Sequence, residues 1–366
     1  MVGPGTGRMV GNGVKIADVR KIAVLRANAI GDLIFTLPAL AALRAAYPAA
    51  EMVLLGQPWH HGFLTGRPGP VDRVVVVPPS KGVHEPLEGA VEDPAALAAF
   101  FAAMAEERFD IALQMHGGGR YSNPFVQRLG ARLTAGLKTP DALPLDRWTP
   151  YVYWQYEILR YLEVVALVGA PPTVLEPCLA VTSADLEEAA SVVPASVEPL
   201  VVLHPGGGAV MRQWPPEKFA AVGDALAAAG ARIVVTGGRP EERALVEAVV
   251  GAMTAPAQAT WGQLSLGGLA GLLSRCRVVV SNDSGPLHLA AAVGAATAGI
   301  YWAGNLITAG PLWRTRHRAA IAWRRDCPCC GADTISAPCR HAVSLVADVP
   351  VAEVRDAALD LLQMIG

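Results

Sequence analysis

At 366 residues the chain exceeds the roughly 100–200 typical of one domain, so two α/β halves are expected. Apolar residues make up 52% and charged residues 17%, which excludes a disordered or nucleic-acid-coating chain, and a net charge of −2 gives no reason to expect a polyanionic partner. The opening MVGPGTGRMVGNG lacks the continuous apolar run of a secretory signal, so residues 1–20 read as a flexible leader and the location as cytoplasmic.

From Lys21, IAVLRA reads as a buried strand, followed by a turn and a helix through TLPALAALRAAYP that Pro48 stops. MVLLG, VDRVVVV and FDIALQM read as further strands, with an alanine-rich helix over residues 94–108 between the last two. The aromatic stretch 148–169 reads as a helix packing across a domain junction, in preference to an acceptor platform. A linker is expected near residues 182–199, before the strand LVVLH.

The alternation then restarts. Helix 216–229, strand ARIVVTG, helices 240–253 and 266–275, strand RVVVS, helix 286–293 and strand TAGIYW follow in order, a parallel-sheet signature. The uncharged stretch 289–313 is long enough to raise a transmembrane question, but Gly294, Gly299, Gly304, Asn305 and Pro311 divide it into a short helix, a buried strand and a loop. The expected domains are therefore 21–195 and 196–345, with 346–366 a closing helix free to pack back on the first.

Three strand-to-helix turns carry chemistry. In RANAIGD, residues 26–32, Asp32 lies where a parallel strand delivers the chain to the sheet's carboxyl edge, and it can act as a base or simply cap a helix. Taken alone, this turn favours capping. In HPGGGAVMRQWP, Gly206, Gly207 and Gly208 let backbone amides approach an anion, and Arg212 adds a planar cation suited to a diphosphate. In SNDSGPLH, the Ser284, Gly285 and Pro286 step reads as a phosphate-receiving helix start. Asp283 and His288 share that turn, although a lone histidine there is more often structural. After IVVTG, Glu241 or Glu242 can accept hydrogen bonds from ribose hydroxyls, the competing role being dipole compensation.

Cys327, Cys329, Cys330 and Cys339 cluster with His341, while Cys178 and Cys276 read as isolated buried thiols. The cluster has no repeated Cys-x-x-Cys pair, so no metal is expected in it. Residues 116–119, HGGG, look like an esterase oxyanion loop, but no Gly-x-Ser-x-Gly elbow accompanies them. A dehydrogenase fingerprint is excluded too, since the glycine-rich leader precedes the first strand.

Taken in order, RANAIGDLIFTLPALAALRAAYP, HPGGGAVMRQWPPEKFAAV, VVTGGRPEER, SNDSGPLHLAAAVG and the cysteine-bearing segment before VADVPVAEV resemble glycosyltransferase family nine, the heptosyltransferase-like proteins. The resemblance spans nearly the whole chain. It implies an α/β fold of GT-B type, two Rossmann-like domains facing a central cleft, with the acceptor on the amino-terminal half and the nucleotide on the other. It also implies inverting transfer of heptose or a related sugar from a nucleotide-diphosphate donor, ADP-linked in the family, to an acceptor hydroxyl. Asp32 then matches the family's base, Arg212 its basic diphosphate contact and Glu241 its ribose carboxylate. Asp283, Ser284 and Gly285 match the donor-binding turn, with His288 following, and Gly206–208 join the donor side. Two departures stand out, since the family often has lysine at Arg212 and small hydroxyl residues at Gly207 and Gly208.

No cofactor is required by this reading. The expected partners are the nucleotide sugar and a carbohydrate, lipid-linked glycan or small-molecule acceptor, with peripheral membrane contact allowed and no nucleic acid. Rival readings are a sugar-nucleotide epimerase or hydrolase on the same fold, and a nucleotide-sugar binding protein without turnover.

Overall fold

A computed structural model describes residues 13–85, 91–335 and 339–364. The chain divides into two units, Met1–Pro177 and Cys178–Gly366. The first contains β1 (Lys21–Leu25), α1 (Ile30–Ala46), β2 (Glu51–Gly56), α2 (Pro58–Leu64), β3 (Arg73–Val76), α3 (Pro94–Glu106), β4 (Ile111–Gln114), α4 (Ser122–Gln127), β5 (Leu133–Lys138), β6 (Arg147–Pro150) and α5 (Glu157–Ala166). The second contains α6 (Ser183–Val192), β7 (Leu200–His204), α7 (Pro216–Ala228), β8 (Arg232–Val235), α8 (Arg243–Ala252), β9 (Ala257–Ala259), α9 (Leu266–Ser274), β10 (Val278–Asn282), α10 (Gly285–Ala292), β11 (Ala296–Trp302), α11 (Ala303–Ala309), β12 (His317–Ala322) and α12 (Val351–Met364).

Each unit has a six-stranded sheet among its described residues, ordered β3-β2-β1-β4-β5-β6 in the first and β12-β11-β10-β7-β8-β9 in the second. Every pairing is parallel. Renumbered within its unit, the second sheet repeats the order of the first, and both are the doubly wound Rossmann arrangement. Parallel strands are covered on both faces, which is why β1, β7 and β10 read as unbroken apolar runs and are buried almost throughout.

One face of the second sheet presents Val201 and Leu203, Ile233 and Val235, Val278 and Val280, and Ala296, Ala298 and Ile300 to a layer of helices. Phe219, Val222 and Leu226 of α7 and Val354, Ala358 and Leu361 of α12 fill that layer. In the first unit Ala23, Leu25, Val53, Leu55 and Ala112 meet Leu97, Phe101 and Met104 of α3.

Several sequence expectations are revised. Segment 148–169 supplies a strand end and only a ten-residue helix, α5, which packs along α1. The expected linker contains α6, capped by the Thr182 hydroxyl and packed on α9, so the unit boundary falls earlier than residue 195. The loop expected after TAGIYW is the helix α11. The closing helix α12 lies on α7 and β10–β12 of the second unit, where a return to the first had been allowed. Residues 1–12 of the expected leader lie outside the described residues, while the Gly13 amide donates to Ala166 O (3.0 Å) and the Ile16 amide to Tyr47 Oη (3.0 Å). Among the described residues no helix is long and apolar enough to cross a membrane.

Trp214 locks the turn after β7 to the chain entering α12. Its indole is fully buried, stands edge-on to Phe219 at 5.2 Å, and donates to Val349 O at 3.0 Å. Trp214→Ala should therefore destabilise the chain by about 3–5 kcal/mol in urea unfolding. A loss below about 1 kcal/mol, within the range of ordinary surface substitutions, would refute this keystone role.

Candidate functional site

In a doubly wound sheet the strand order reverses between two neighbouring strands, and the crevice beyond their carboxyl ends is where ligands bind. In the first unit those strands are β1 and β4. Arg26 directly follows β1, and its buried guanidinium donates from Nη1 to Met115 O beyond β4 (2.6 Å) and from Nη2 to Asp32 Oδ1 (2.6 Å). It also stacks 4.7 Å from the Tyr161 ring and lies 3.8 Å from Glu157 Oε2. Burial alone would lower the Arg26 pKa, but Tyr161, Asp32 and Glu157 offset that and raise it.

Asp32 occupies the third position of α1, and its Oδ2 accepts the Ala29 amide at 3.0 Å. Capping and ion pairing therefore act together on one carboxylate, a third of whose side chain remains exposed. Two histidines flank the turn. The Ala27 amide donates to His116 Nδ1 (3.2 Å), and the Gln57 amide to His60 Nδ1 (3.0 Å), while the Gln57 side chain donates to Ala27 O (2.7 Å). Burial first, and the Arg26 charge second, push His60 down to about 3 and His116 to about 4.

In the second unit the switch point lies between β7 and β10, and Asn282 ties their two turns together. Its side-chain amide donates to Pro205 O (2.8 Å) and Gly206 O (3.3 Å), and its Oδ1 accepts the Trp214 amide (3.0 Å). A Cβ at Gly206 would meet Glu242 Oε1 and, at 2.8 Å, His204 Cε1, so glycine lets the turn pass close to both side chains. Gly207 O accepts from Arg239 Nη2 (2.9 Å), and Gly208 is exposed beside Arg212.

Asp283, fully buried, is held by three neighbours: His288 Nε2 at 3.0 Å, Arg212 Nη1 at 3.4 Å and Asn305 Nδ2 at 2.5 Å. Burial would raise its pKa, but these partners, His288 foremost, hold it below the usual carboxylate value. The Ser281 and Ser284 hydroxyls each lie 3.4 Å from His204 Nδ1.

The structure thus brings Gly206, Gly207, Gly208, Arg212, Asp283, Ser284, Gly285 and His288 together at one sheet edge, while Asp32 sits at the corresponding edge of the first unit. Of the two candidate ribose carboxylates, Glu242 is buried and committed to the Gly238 (2.9 Å) and Arg239 (3.2 Å) amides. Glu241 is exposed, with the Arg239 guanidinium beside it at 3.2 Å. Burial would raise the Glu242 pKa, yet His204 and those amides lower it.

Sequence reasoning gave no part in these two switch-point clusters to Arg26, His60, His116, His204, Asn282 or Asn305. Arg26 and Asn282 had a visible signal, a polar residue directly ending an apolar strand, whereas Asn305 comes from α11 and had none. Cys178 is exposed, contrary to expectation, and Cys276 is buried. The remaining cysteines converge, as described below.

A family model for glycosyltransferase family 9 (heptosyltransferase) matches residues 97–342. The chain belongs to this family. It is a glycosyltransferase, 26% identical over 291 residues to lipopolysaccharide heptosyltransferase 2 of Salmonella typhimurium, covering 75% of this chain and 80% of that protein. A shorter match, 35% identical over 96 residues, covers 25% of this chain and 28% of lipopolysaccharide heptosyltransferase 3 of Escherichia coli. The solved Escherichia coli ADP-heptose lipopolysaccharide heptosyltransferase II superposes with a TM-score of 0.72 at 18% identity, over 94% of this chain and 99% of that one, so the fold is of the GT-B type.

The depressed histidines predict a pH response. In the unfolded chain both take up protons below about 6.5, whereas the native chain resists until about 4 at His116 and about 3 at His60. Falling pH therefore favours unfolding across that window. The Tm should drop between pH 6.5 and 4.5 more steeply for the native sequence than for His60→Gln, and parallel curves would refute this.

Proposed function

We propose that this glycosyltransferase moves a heptose or closely related sugar from an ADP-linked donor to an acceptor hydroxyl, with inversion at the anomeric carbon. The reading rests chiefly on one observation: the second unit's switch point carries a glycine turn beside Arg212, which Asp283 holds, while the first carries a carboxylate anchored at both oxygens yet partly exposed. The ADP-heptose donor named for the solved Escherichia coli relative supports the choice of nucleotide and sugar.

In the proposed reaction the acceptor oxygen attacks the anomeric carbon, its proton passes to Asp32, and the bond from that carbon to the diphosphate oxygen breaks. The electron pair leaves with the diphosphate. Arg212 and the amides of Gly207, Gly208 and Gly285 oppose the charge that develops there, and Glu241 accepts from the ribose hydroxyls. Asp283 and His288 act by holding Arg212 and the turn in place, and Ser284 adds its hydroxyl beside them. A carbohydrate or lipid-linked glycan is the proposed acceptor class, in the cytoplasm.

Asp32→Asn retains an acceptor oxygen for the Ala29 amide, and Glu157 remains to balance Arg26, so the variant should fold. Its single-turnover transfer rate should fall about 10²–10⁴-fold with donor affinity unchanged. Transfer at close to the native rate would reduce Asp32 to a helix cap. Arg212→Ala leaves Asp283 with His288 and Asn305, and should weaken ADP binding by about 1.5–3 kcal/mol while adenosine binding changes little. Equal losses for both ligands, measured by calorimetry, would refute a diphosphate contact.

A further inference from the structure

The segment after β12 gathers residues that the proposed reaction does not use. Cys330 Sγ lies 3.6 Å from Cys339 Sγ, and His341 Nδ1 lies 3.7 Å from Cys327 Sγ and 3.2 Å from Cys339 Sγ. All four ligand atoms fall within 4.8 Å of one another. Zinc bound at about 2.3 Å by sulfur and about 2.0–2.1 Å by nitrogen sets neighbouring ligand atoms of a tetrahedron about 3.5–3.8 Å apart. The Cys330–Cys339 and Cys327–His341 spacings match that edge length, and the Cys339–His341 spacing is slightly shorter. They are too long for the bond of about 2.05 Å that a disulfide between Cys330 and Cys339 would require.

The local backbone is built to converge these groups. Cys327, Pro328, Cys329 and Cys330 make a tight turn in which the Gly331 amide donates to Cys327 O (2.8 Å), and Gly331 has the positive φ of 72° that glycine tolerates. The Cys327 amide donates to Ala332 O (2.9 Å). Cys329, between the ligands, points to solvent. The sequence expectation of no metal rested on the missing second Cys-x-x-Cys pair, and here Cys339 and His341, two residues apart, supply the other half.

We propose that Cys327, Cys330, Cys339 and His341 bind one zinc ion per chain. Four protein ligands close the coordination sphere and leave no position for substrate, so the ion is structural. Binding converts the three thiols to thiolates with release of their protons and changes no oxidation state. The ion anchors a strap. Shortly after His341, the Ser344 hydroxyl donates to Gln213 O (2.6 Å) and the Leu345 amide to Met211 O (2.9 Å), on either side of Arg212. Insofar as Arg212 contacts the donor diphosphate as proposed above, the zinc site fixes the position of that contact.

The test uses the full chain, purified under reducing conditions. Elemental analysis should find one zinc per chain. Cobalt titrated into the chelator-treated protein should give the near-ultraviolet thiolate charge-transfer band and strong visible bands of a tetrahedral site. Cys330→Ser and Cys339→Ser should lose both signals, and Cys329→Ser should keep them. Substoichiometric zinc without cobalt bands, an equal loss in Cys329→Ser, or a Cys330–Cys339 disulfide in the native protein would overturn the site, and the cobalt readout stands even if a variant fails to fold. For the strap, zinc removal should lower Tm and weaken ADP binding about fivefold or more. Unchanged ADP affinity in the zinc-free protein, with the native protein binding ADP normally, overturns the strap; absence of ADP binding in the zinc-loaded protein instead overturns the donor reading.

Discussion

Everything at the proposed donor site depends on two parallel strands, β7 and β10, lying side by side while the chain leaves them in opposite directions along the sheet. Right-handed crossovers send the helices after such strands to opposite faces. The turns at the carboxyl ends are then left without a covering helix and must satisfy their own polar groups. Asn282 does most of this, with one side chain bonding Pro205, Gly206 and Trp214. The neighbouring glycines lie beyond the paired residues of the strand and close to Arg212, the arrangement that the proposed anionic ligand requires.

Buried charge sets a second constraint. Asp283 and Arg26 are both out of water, and each is surrounded by groups of opposite sign or by donors and acceptors that compensate its burial. Removing a single partner from such a cluster strands a charge and is generally more costly than the pair is worth. The two clusters therefore hold the backbone in shape at the positions where the proposed chemistry lies. Asp32 illustrates the overlap: the helix cap that fixes its position also holds the carboxylate where the proposed reaction places its base, so the capping role and the proposed catalytic role are compatible.

The second unit braces its proposed donor-binding turn from behind. Trp214 and Lys218 reach Val349 and Ala347, and the stretch between the cysteine cluster and α12 runs along residues 211–213. The final part of the chain thus buttresses a turn more than a hundred residues earlier. This explains why α12 belongs with the second sheet: its Val354, Ala358 and Leu361 complete the same apolar layer as α7.

The alternation of apolar strands and helices was legible without coordinates, because buried parallel strands leave unbroken runs of Val, Ile, Leu and Ala and each of the proposed site turns begins where such a run ends. Glycine, proline and acidic residues marked the turns themselves, and with them the family. The residues alone did not separate Glu241 from Glu242, and only the family resemblance favoured Glu241, since neighbours in one helical turn differ only in which faces the core, and that depends on His204 arriving from another strand. Nor could it supply Asn305, which reaches Asp283 from a helix formed out of an apolar, glycine-broken stretch. Helix α6 was hidden for a similar reason, its identity resting on packing against α9 more than on its weak apolar pattern. The cysteine spacing looked unsuited to metal because linear distance says nothing of how Gly331 folds the chain back, and only the tertiary structure put three sulfurs and one imidazole nitrogen within a tetrahedron's reach.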